Sequence, residues 1–356
     1  MKKLKIAALV SGGVDSSVAL ALLKAQGHDV TAFYLKIWLE DELAYLGDCP
    51  WEQDLSYVRA VCEQLGVPLK IISLQKEYSD TVVGYTIAEI KAGRTPNPDI
   101  MCNQRIKFGF FLDKIDASFD KVATGHYAQV QERSDGTVRL LRAPDAIKDQ
   151  TYFLSHLSQE QLQRIIFPIG HLNKAEVRDL AHQFNLPNKD RKDSQGICFL
   201  GKLKFTDFVK HHLGERPGNM VEVETGNVMG QHQGFWFYTI GQRQGLRLAG
   251  GPWYVVDKDP RNNIVYISRN YHADDKQRKS FTIANCNWTT GQQPIDSTLH
   301  IKLRHGAYMH CGTVTYKNDG TAAINLQERD QGIAPGQFAV LYKGDECLGG
   351  GVITGM

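Results

Sequence analysis

Ser11-Gly12-Gly13-Val14-Asp15-Ser16-Ser17 packs two glycines, three serines and one carboxylate into seven residues. Backbone N–H groups at such a turn, freed of side-chain bulk by the glycines and joined by serine hydroxyls, suit a phosphate or pyrophosphate. The G-K-[ST] ending of a Walker A loop is missing. Asp15 would repel a bare anion but could hold a magnesium ion that bridges phosphates. A second constellation is Gly93-Arg94-Thr95-Pro96-Asn97-Pro98-Asp99-Ile100-Met101-Cys102-Asn103, where a carboxylate lies three residues before a thiol in what reads as a loop stiffened by two prolines. Proline restricts its own φ and the residue before it, so Asn97 and Asp99 can be presented to a ligand while Asp99 and Cys102 reach one small volume. The third is Cys198 in Asp193-Ser194-Gln195-Gly196-Ile197-Cys198-Phe199. It lies in a stretch, 188 to 212, with six Lys and Arg against three Asp. Nearby positive charge favours the thiolate. The other cysteines, Cys49, Cys62, Cys286, Cys311 and Cys347, read as small buried hydrophobes.

These groups need elements to position them. Lys5 to Val10 is a short apolar run, Ser11-Gly12-Gly13 a turn, and Val18 to Lys24 has helical spacing. Val30 to Ile37, Pro68 to Leu74 and Asp120 to Gly125 read as further strands, with Asp54 to Gln64 a helix stopped near Gly66. Strands alternating with helices imply a parallel sheet covered on both faces, with ligands at the carboxyl ends of its strands. Residues 1–205 are therefore expected to form an α/β domain. After Gly214-Glu215-Arg216-Pro217-Gly218 helical periodicity nearly vanishes, and Trp253 to Asp257 with Ile264 to Ser268 reads as a hairpin in a small mixed domain, 206–278. Six short β runs follow at Phe281 to Cys286, Leu299 to Leu303, Gly312 to Tyr316, Ala322 to Leu326, Phe338 to Tyr342 and Leu348 to Ile353, separated by Gly, Asn-Asp-Gly and Pro-Gly turns. They suggest a small closed β-barrel over 279–356.

The 356 residues, 42% hydrophobic and 22% charged, exclude disorder, collagen and coiled coil. No apolar run reaches the ~18 to 20 residues of a membrane span, and no small-residue cleavage site follows Met1-Lys2-Lys3-Leu4. A cytoplasmic protein without membrane association is expected. Seven cysteines with no C-x-x-C pair fit neither a disulfide framework nor a zinc ribbon, so no structural metal is expected. The net charge of +2 divides into −3 for residues 1–100 and +5 beyond them. A nucleic-acid partner would be met by local patches.

SGGVDSS at a strand-to-helix junction resembles the signature of the PP-loop ATP pyrophosphatase superfamily, which cleaves ATP between the α and β phosphates. GRTPNPDIMCN, TGHYA at Thr124 to Ala128, KDQTYFL at Lys148 to Leu154, FPIG at Phe167 to Gly170, DSQGICF, YTIGQRQGL at Tyr238 to Leu246 and PWYVVDKD at Pro252 to Asp259 together resemble one family, the tRNA-specific 2-thiouridylases (MnmA/TrmU). The resemblance runs on through Ala334-Pro335-Gly336-Gln337 and Cys347-Leu348-Gly349-Gly350-Gly351 and spans essentially the whole chain. It implies a Rossmann-like PP-loop (HUP) domain, a small central tRNA-binding domain and a terminal β-barrel. It implies 2-thiolation of wobble uridine 34 in Lys, Glu and Gln tRNAs, with ATP and Mg2+.

By position, Cys198 resembles the persulfide carrier and Cys102 the partner thiol, with Asp99 suited to general acid/base work on the base. Leu9, Val10, Ser11, Gly12, Gly13, Val14, Asp15 and Ser16, with Leu35 and Gly125, match the ATP-binding positions. Asn97, Pro98 and Asp99 match the pocket of the target base, which must leave the anticodon stack to be reached. His126, Lys148, Asp149, Gln150, Arg304, His305 and Gln337 match tRNA-contact positions. The implied partners are the tRNA anticodon stem-loop and a sulfur-donor protein, either a cysteine desulfurase or a relay protein, acting with a monomer. A second sulfur route would use Asp99, Cys102 and Cys198 as three ligands of an iron-sulfur cluster. Residues 38–51 receive no role. An amide-forming synthetase of the same superfamily, and a tRNA-binding protein without ATP turnover, are the other classes to separate.

Overall fold

A computed structural model describes residues 2–37, 50–193, 204–271, 273 and 278–355. Cys198 and Cys49 lie outside the described residues. β1 (Lys5–Leu9), β2 (Asp29–Lys36), β3 (Leu69–Ser73), β4 (Lys121–Ala123) and β7 (Ile165–Ile166) form a parallel sheet in the order β3-β2-β1-β4-β7. Alternate residues of the central strand enter different cores. Ala7 and Leu9 join one apolar cluster, Ile6 and Ala8 the other, because successive side chains of a strand point to opposite faces and both faces are covered. α1 (Val14–Ala25) and the helices Pro50–Leu65 and Lys174–Gln183 pack on the Ile6 face, while the helical run from Gln75 to Lys114 covers the Leu9 face. The order of the strands reverses beside β1, so a crevice opens between the carboxyl ends of β1 and β4.

β8 (Gly218–Glu222), β9 (Val228–His232), β10 (Tyr254–Asp259) and β11 (Ile264–Ser268) make a small mixed sheet, order β10-β11-β8-β9, with its own core around Met220, Trp253, Val255 and Ile267. β12 (Arg278–Trp288), β13 (Thr298–Lys302), β14 (His310–Tyr316), β15 (Ala322–Asp330), β16 (Phe338–Lys343) and β17 (Glu346–Gly355) form the six-stranded antiparallel barrel, closed by the β12–β17 pairing. The interior is filled by side chains such as Ile283, Ile301, Ile324 and Leu341. The three architectures expected from the sequence are all present.

Two features go beyond the elements expected from the sequence. β5 (Ala128–Glu132) and β6 (Val138–Arg142) form a hairpin that leaves the parallel-sheet region and adds to the barrel, with Leu140 opposite Cys347 and Leu141 opposite Glu346. β16 is buried from Phe338 to Tyr342 because its two faces serve two cores. Ala339 and Leu341 point into the barrel, whereas Phe338, Val340 and Tyr342 join the cluster that contains Ile100 and Cys102. The barrel wall is therefore also a wall of the cluster around Ile100 and Cys102. Among the described residues no helix is long and apolar enough to cross a membrane.

Candidate active site

The Ser11–Ser17 turn joins β1 to α1 at the crevice. Gly13 has extended dihedrals and no side-chain cap, which leaves the first amides of α1 without a side-chain acceptor. The hydroxyls of Ser16 and Ser17 both donate to the Gly13 carbonyl at 3.0 Å, and Ser16 Oγ accepts from Ser11 N at 3.2 Å. On the far side, Asn188 Nδ2 (2.8 Å) and Arg191 Nη1 (3.0 Å) donate to the Gly12 carbonyl, and Arg191 pairs with Asp54. Gly125, at the end of β4, closes the wall. A Cβ there would lie 2.7 Å from Ser16 N, so only glycine lets the two turns approach. Leu9, Val10, Val14 and Ser16 are buried, Ser11 is exposed at the mouth, and Leu35 sits half-buried near the carboxyl end of β2.

Asp15 Oδ1 accepts from Tyr127 Oη at 2.9 Å and from Lys174 Nζ at 2.7 Å. No described residue hydrogen-bonds its Oδ2. Lys174 Nζ is also 2.7 Å from Asp193 Oδ1, which Arg178 approaches at 2.5 Å, while Lys148 Nζ reaches Asp193 Oδ2 at 2.8 Å. Burial pushes the Asp193 carboxyl up, but the hydrogen bonds from Lys148 and Lys174 outweigh it and hold the group well below the usual carboxylate range. Burial, with Asp15 beside it, pushes the Tyr127 phenol far above its ordinary value, so it stays a donor. Sequence reading missed Tyr127, Lys174, Arg178, Asn188 and Arg191. The one available signal was the Asn173-x-x-Glu176 capping box, which starts the helix that carries Lys174 and Arg178.

The thiol segment corrects an expectation. Residues 98–102 are helical, not an open loop: Pro98 occupies the first turn, and the Asn97 side chain caps it by accepting from Ile100 N at 3.2 Å. Cys102 opens the next piece, Cys102–Phe110, whose bonds skip five residues, as in Phe111 N to Ile106 O. Helical spacing puts Asp99 and Cys102, three apart, on one face. Cys102 is 1% exposed. The preceding strand of chain is moored to the barrel: Thr95 N donates to Pro335 O at 2.8 Å, and a Cβ at Gly336 would lie 2.9 Å from Thr95 N. Tyr85 Oη, raised to about 12 by burial, accepts from Asn97 N at 3.3 Å.

The remaining anticipated residues stand in unequal settings, and Asp149 and His305 mark the seam where the barrel meets the first domain. Asp149 is wholly buried, 2.7 Å from the equally buried Lys302 Nζ, with Arg142 Nε at 3.4 Å and Thr151 Oγ1 at 2.9 Å. Gln150 Oε1 accepts from Tyr127 N at 2.9 Å. His305 stacks on Phe153 at 4.9 Å, its pKa lowered by burial and by Lys302. Arg304, pointing outward, pairs with Asp330. Gln337 Oε1 is buried without a hydrogen-bond partner. His126 is buried between Phe108 and Phe167; its Nδ1 lies 2.7 Å from Thr124 Oγ1, and burial holds its pKa well below the usual imidazole range. The side chains of Asp149 and His126 thus face the interior, whereas Lys148 and Arg304 face outward.

Residues 4–202 match the tRNA methyl transferase HUP domain family, 206–269 its PRC-barrel domain, and 278–353 the aminomethyltransferase β-barrel domain. The chain is 47% identical to the tRNA-specific 2-thiouridylase MnmA of Parabacteroides distasonis, over 98% of this chain and 99% of that one. It belongs to the tRNA-specific 2-thiouridylase family. Thiouridylases of Porphyromonas gingivalis (44% identity; 98% and 99% covered) and Lacticaseibacillus paracasei (46%; 97% and 92%) are similarly close. Membership on this scale makes the chain a tRNA-specific 2-thiouridylase enzyme.

Proposed function

We propose that this thiouridylase converts wobble uridine 34 of Lys, Glu and Gln tRNAs to 2-thiouridine, consuming ATP and releasing AMP and pyrophosphate. The observation that carries the reading is the place of Cys102, on one helical face with Asp99, in the same apolar cluster as Leu9 at the end of the nucleotide strand. The cradle fits a nucleotide: free α1 amides, serine hydroxyls and the Gly125 contact leave room for phosphates at the crevice. Leu9 to Ser16, Leu35 and Gly125 would surround ATP. Asp15, with Oδ2 unengaged by any described residue, suits Mg2+, which would bridge phosphates and neutralise their charge.

The C2 carbonyl of uridine is a poor electrophile. Attack of O2 on the α phosphate makes that oxygen a leaving group, and Asp99 accepts the N3 proton. The terminal sulfur of a Cys198 persulfide then attacks C2. Cys102 attacks Cys198 Sγ, the S–S bond of the persulfide breaks, AMP departs, and a Cys102–Cys198 disulfide remains. Asn97 and Pro98 would border the flipped base. His126, Lys148, Asp149, Gln150, Arg304, His305 and Gln337 would read the anticodon stem-loop, Lys148 and Arg304 by direct phosphate contact, the buried members by holding the surface in place. Once a thiol reductant has opened the Cys102–Cys198 disulfide, a separate desulfurase or relay protein would reload Cys198 with persulfide sulfur. The units 1–205, 206–278 and 279–356 would act as catalytic, central tRNA-binding and barrel domains of a cytoplasmic monomer.

The test is tRNA-dependent pyrophosphate release alongside nucleoside mass spectrometry. Cys102→Ser and Cys198→Ser should lose 2-thiouridine yet keep part of the pyrophosphate release. Thiolation surviving either change would refute the assignment. Iron-free protein with full activity would exclude the cluster route through Asp99, Cys102 and Cys198.

A further inference from the structure

Lys174 stands out among the groups that the reaction above does not use. Its side chain is 17% exposed, and its ammonium lies at the mouth of the nucleotide turn and bridges Asp15 Oδ1 and Asp193 Oδ1 at 2.7 Å each. The Tyr127 ring lies 5.9 Å beneath it. The lysine begins the helix Lys174–Gln183, whose Asn173 cap and Asn173–Glu176 capping box fix its first turn. Asp15 belongs to the first turn of α1, so a cation bound to its carboxylate borders the amides that would face phosphates. Asp193 is held by Arg178 and Lys148 as well, three cations around one carboxylate. Asp193 therefore remains neutralised when Lys174 turns away, and the local charge without Asp15 is net positive.

From this geometry we infer that Lys174 is a further catalytic residue of adenylation. It binds the β and γ phosphates and takes up the charge of the departing pyrophosphate. The inference rests on the ATP-dependent reading above. A compact ammonium suits a phosphate as a point charge. Asp15 would hold magnesium, and Lys174, no longer paired with Asp15, would turn to the phosphates. The bond from uridine O2 to the α phosphorus forms, and the bond from that phosphorus to the bridging oxygen breaks. Its electron pair leaves with pyrophosphate, the N3 proton passes to Asp99, and Lys174 keeps its protons throughout.

The experiment measures tRNA-stimulated pyrophosphate release, tRNA binding and inhibition by added pyrophosphate in wild type, Lys174→Met and Lys174→Arg. Losing one transition-state charge contact typically costs on the order of 100-fold to 1,000-fold in kcat. Lys174→Met should fall in that range, bind tRNA within about two-fold of wild type, and lose about ten-fold in sensitivity to pyrophosphate; Lys174→Arg should recover part of both. Should Lys174→Met fail to fold, acylation of wild-type Lys174, followed by peptide mass spectrometry, decides instead: Mg-pyrophosphate should slow it and AMP should not. Unchanged kcat with unchanged pyrophosphate inhibition in Lys174→Met, or acylation indifferent to pyrophosphate, would overturn the inference. A wild-type protein that releases no pyrophosphate with tRNA would instead refute the ATP-dependent reading itself.

Discussion

Replacing Lys302 by methionine would strand a carboxylate in the seam between the barrel and the first domain. Lys302 Nζ and Asp149 Oδ2 are 2.7 Å apart and both side chains are wholly buried. Removing one partner of such a pair typically costs about 3–5 kcal/mol, because the other charge is left desolvated. Asp149 would retain Thr151 Oγ1 at 2.9 Å and Arg142 Nε at 3.4 Å, which places the expected loss near the lower end, about 3 kcal/mol. Asp149→Asn should cost a similar amount by stranding Lys302, and the double variant should cost less than the two singles together, with a coupling of about 2 kcal/mol. Urea denaturation of the four proteins gives the cycle. The tRNA affinity of the single variants should fall with stability, because the pair fixes the segment of Lys148 and Gln150 against the strand that leads to Arg304 and His305. Strict additivity, or single variants as stable as wild type, would refute the reasoning that this ion pair ties the two units together.

That pair also marks where sequence reading stopped. Four of the five parallel strands, the nucleotide turn and the six barrel runs were legible because alternation, apolar runs and Gly-rich turns are local signals, whereas the two-residue β7 is too short to carry one. Asp149 was legible only as a member of a motif. That its carboxylate meets Lys302, 153 positions away, depends on how β13 docks, and no local pattern encodes it. Asp99 and Cys102 were expected to reach one volume, and they do share a helical face, but the prolines suggested a loop. Pro98 instead starts the helix, a role its missing N–H allows at the first turn. The β5–β6 hairpin did carry a signal, Asp135-Gly136 between alternating runs, which went unread because a hairpin did not fit an alternating α/β pattern.

Three shorter predictions follow from the site. Gly125→Ala should raise the KM for ATP at least ten-fold, with the barrel intact, since its Cβ would lie 2.7 Å from Ser16 N; unchanged ATP kinetics would argue against this wall of the crevice. Gly336→Ala should weaken tRNA-dependent thiolation more than ATP binding, because it pushes on Thr95 beside Asn97, and equal losses in both would count against the mooring. Burial pushes the thiols of Cys62 and Cys286 up to about 11 and that of Cys347 up to about 12, so at pH 8 roughly one in a thousand or fewer is thiolate. Iodoacetamide mapping of the native protein at pH 8 should leave these three unmodified, and rapid labelling of Cys347 would contradict its buried place.

The same seam should make the protein sensitive to mild acid. His156 sits edge-on to Phe338 at 4.7 Å, and burial, only partly offset by the backbone of Asn285, lowers its pKa to about 4. The unfolded chain binds a proton near pH 6.5, the folded one only near 4, so between these values the unfolded state holds more protons and stability rises with pH. Above about pH 7 both states are neutral and the imidazole imposes no penalty; at pH 5 the penalty is about 2 kcal/mol. His126, also buried and lowered, pulls in the same direction, so the contribution of His156 must be taken as a difference. The urea stability of wild type and His156→Gln, each measured at pH 8 and pH 5, isolates it: the variant should lose about 2 kcal/mol less on acidification. Asn287 Nδ2 donates to the carbonyls of Ser155 (2.9 Å) and Leu157 (3.1 Å) on either side of His156. Protonation would therefore strain a segment that the barrel holds from both ends. Parallel pH profiles for the two proteins would show that the imidazole escapes burial, and the seam would then have no acid-sensitive element at His156.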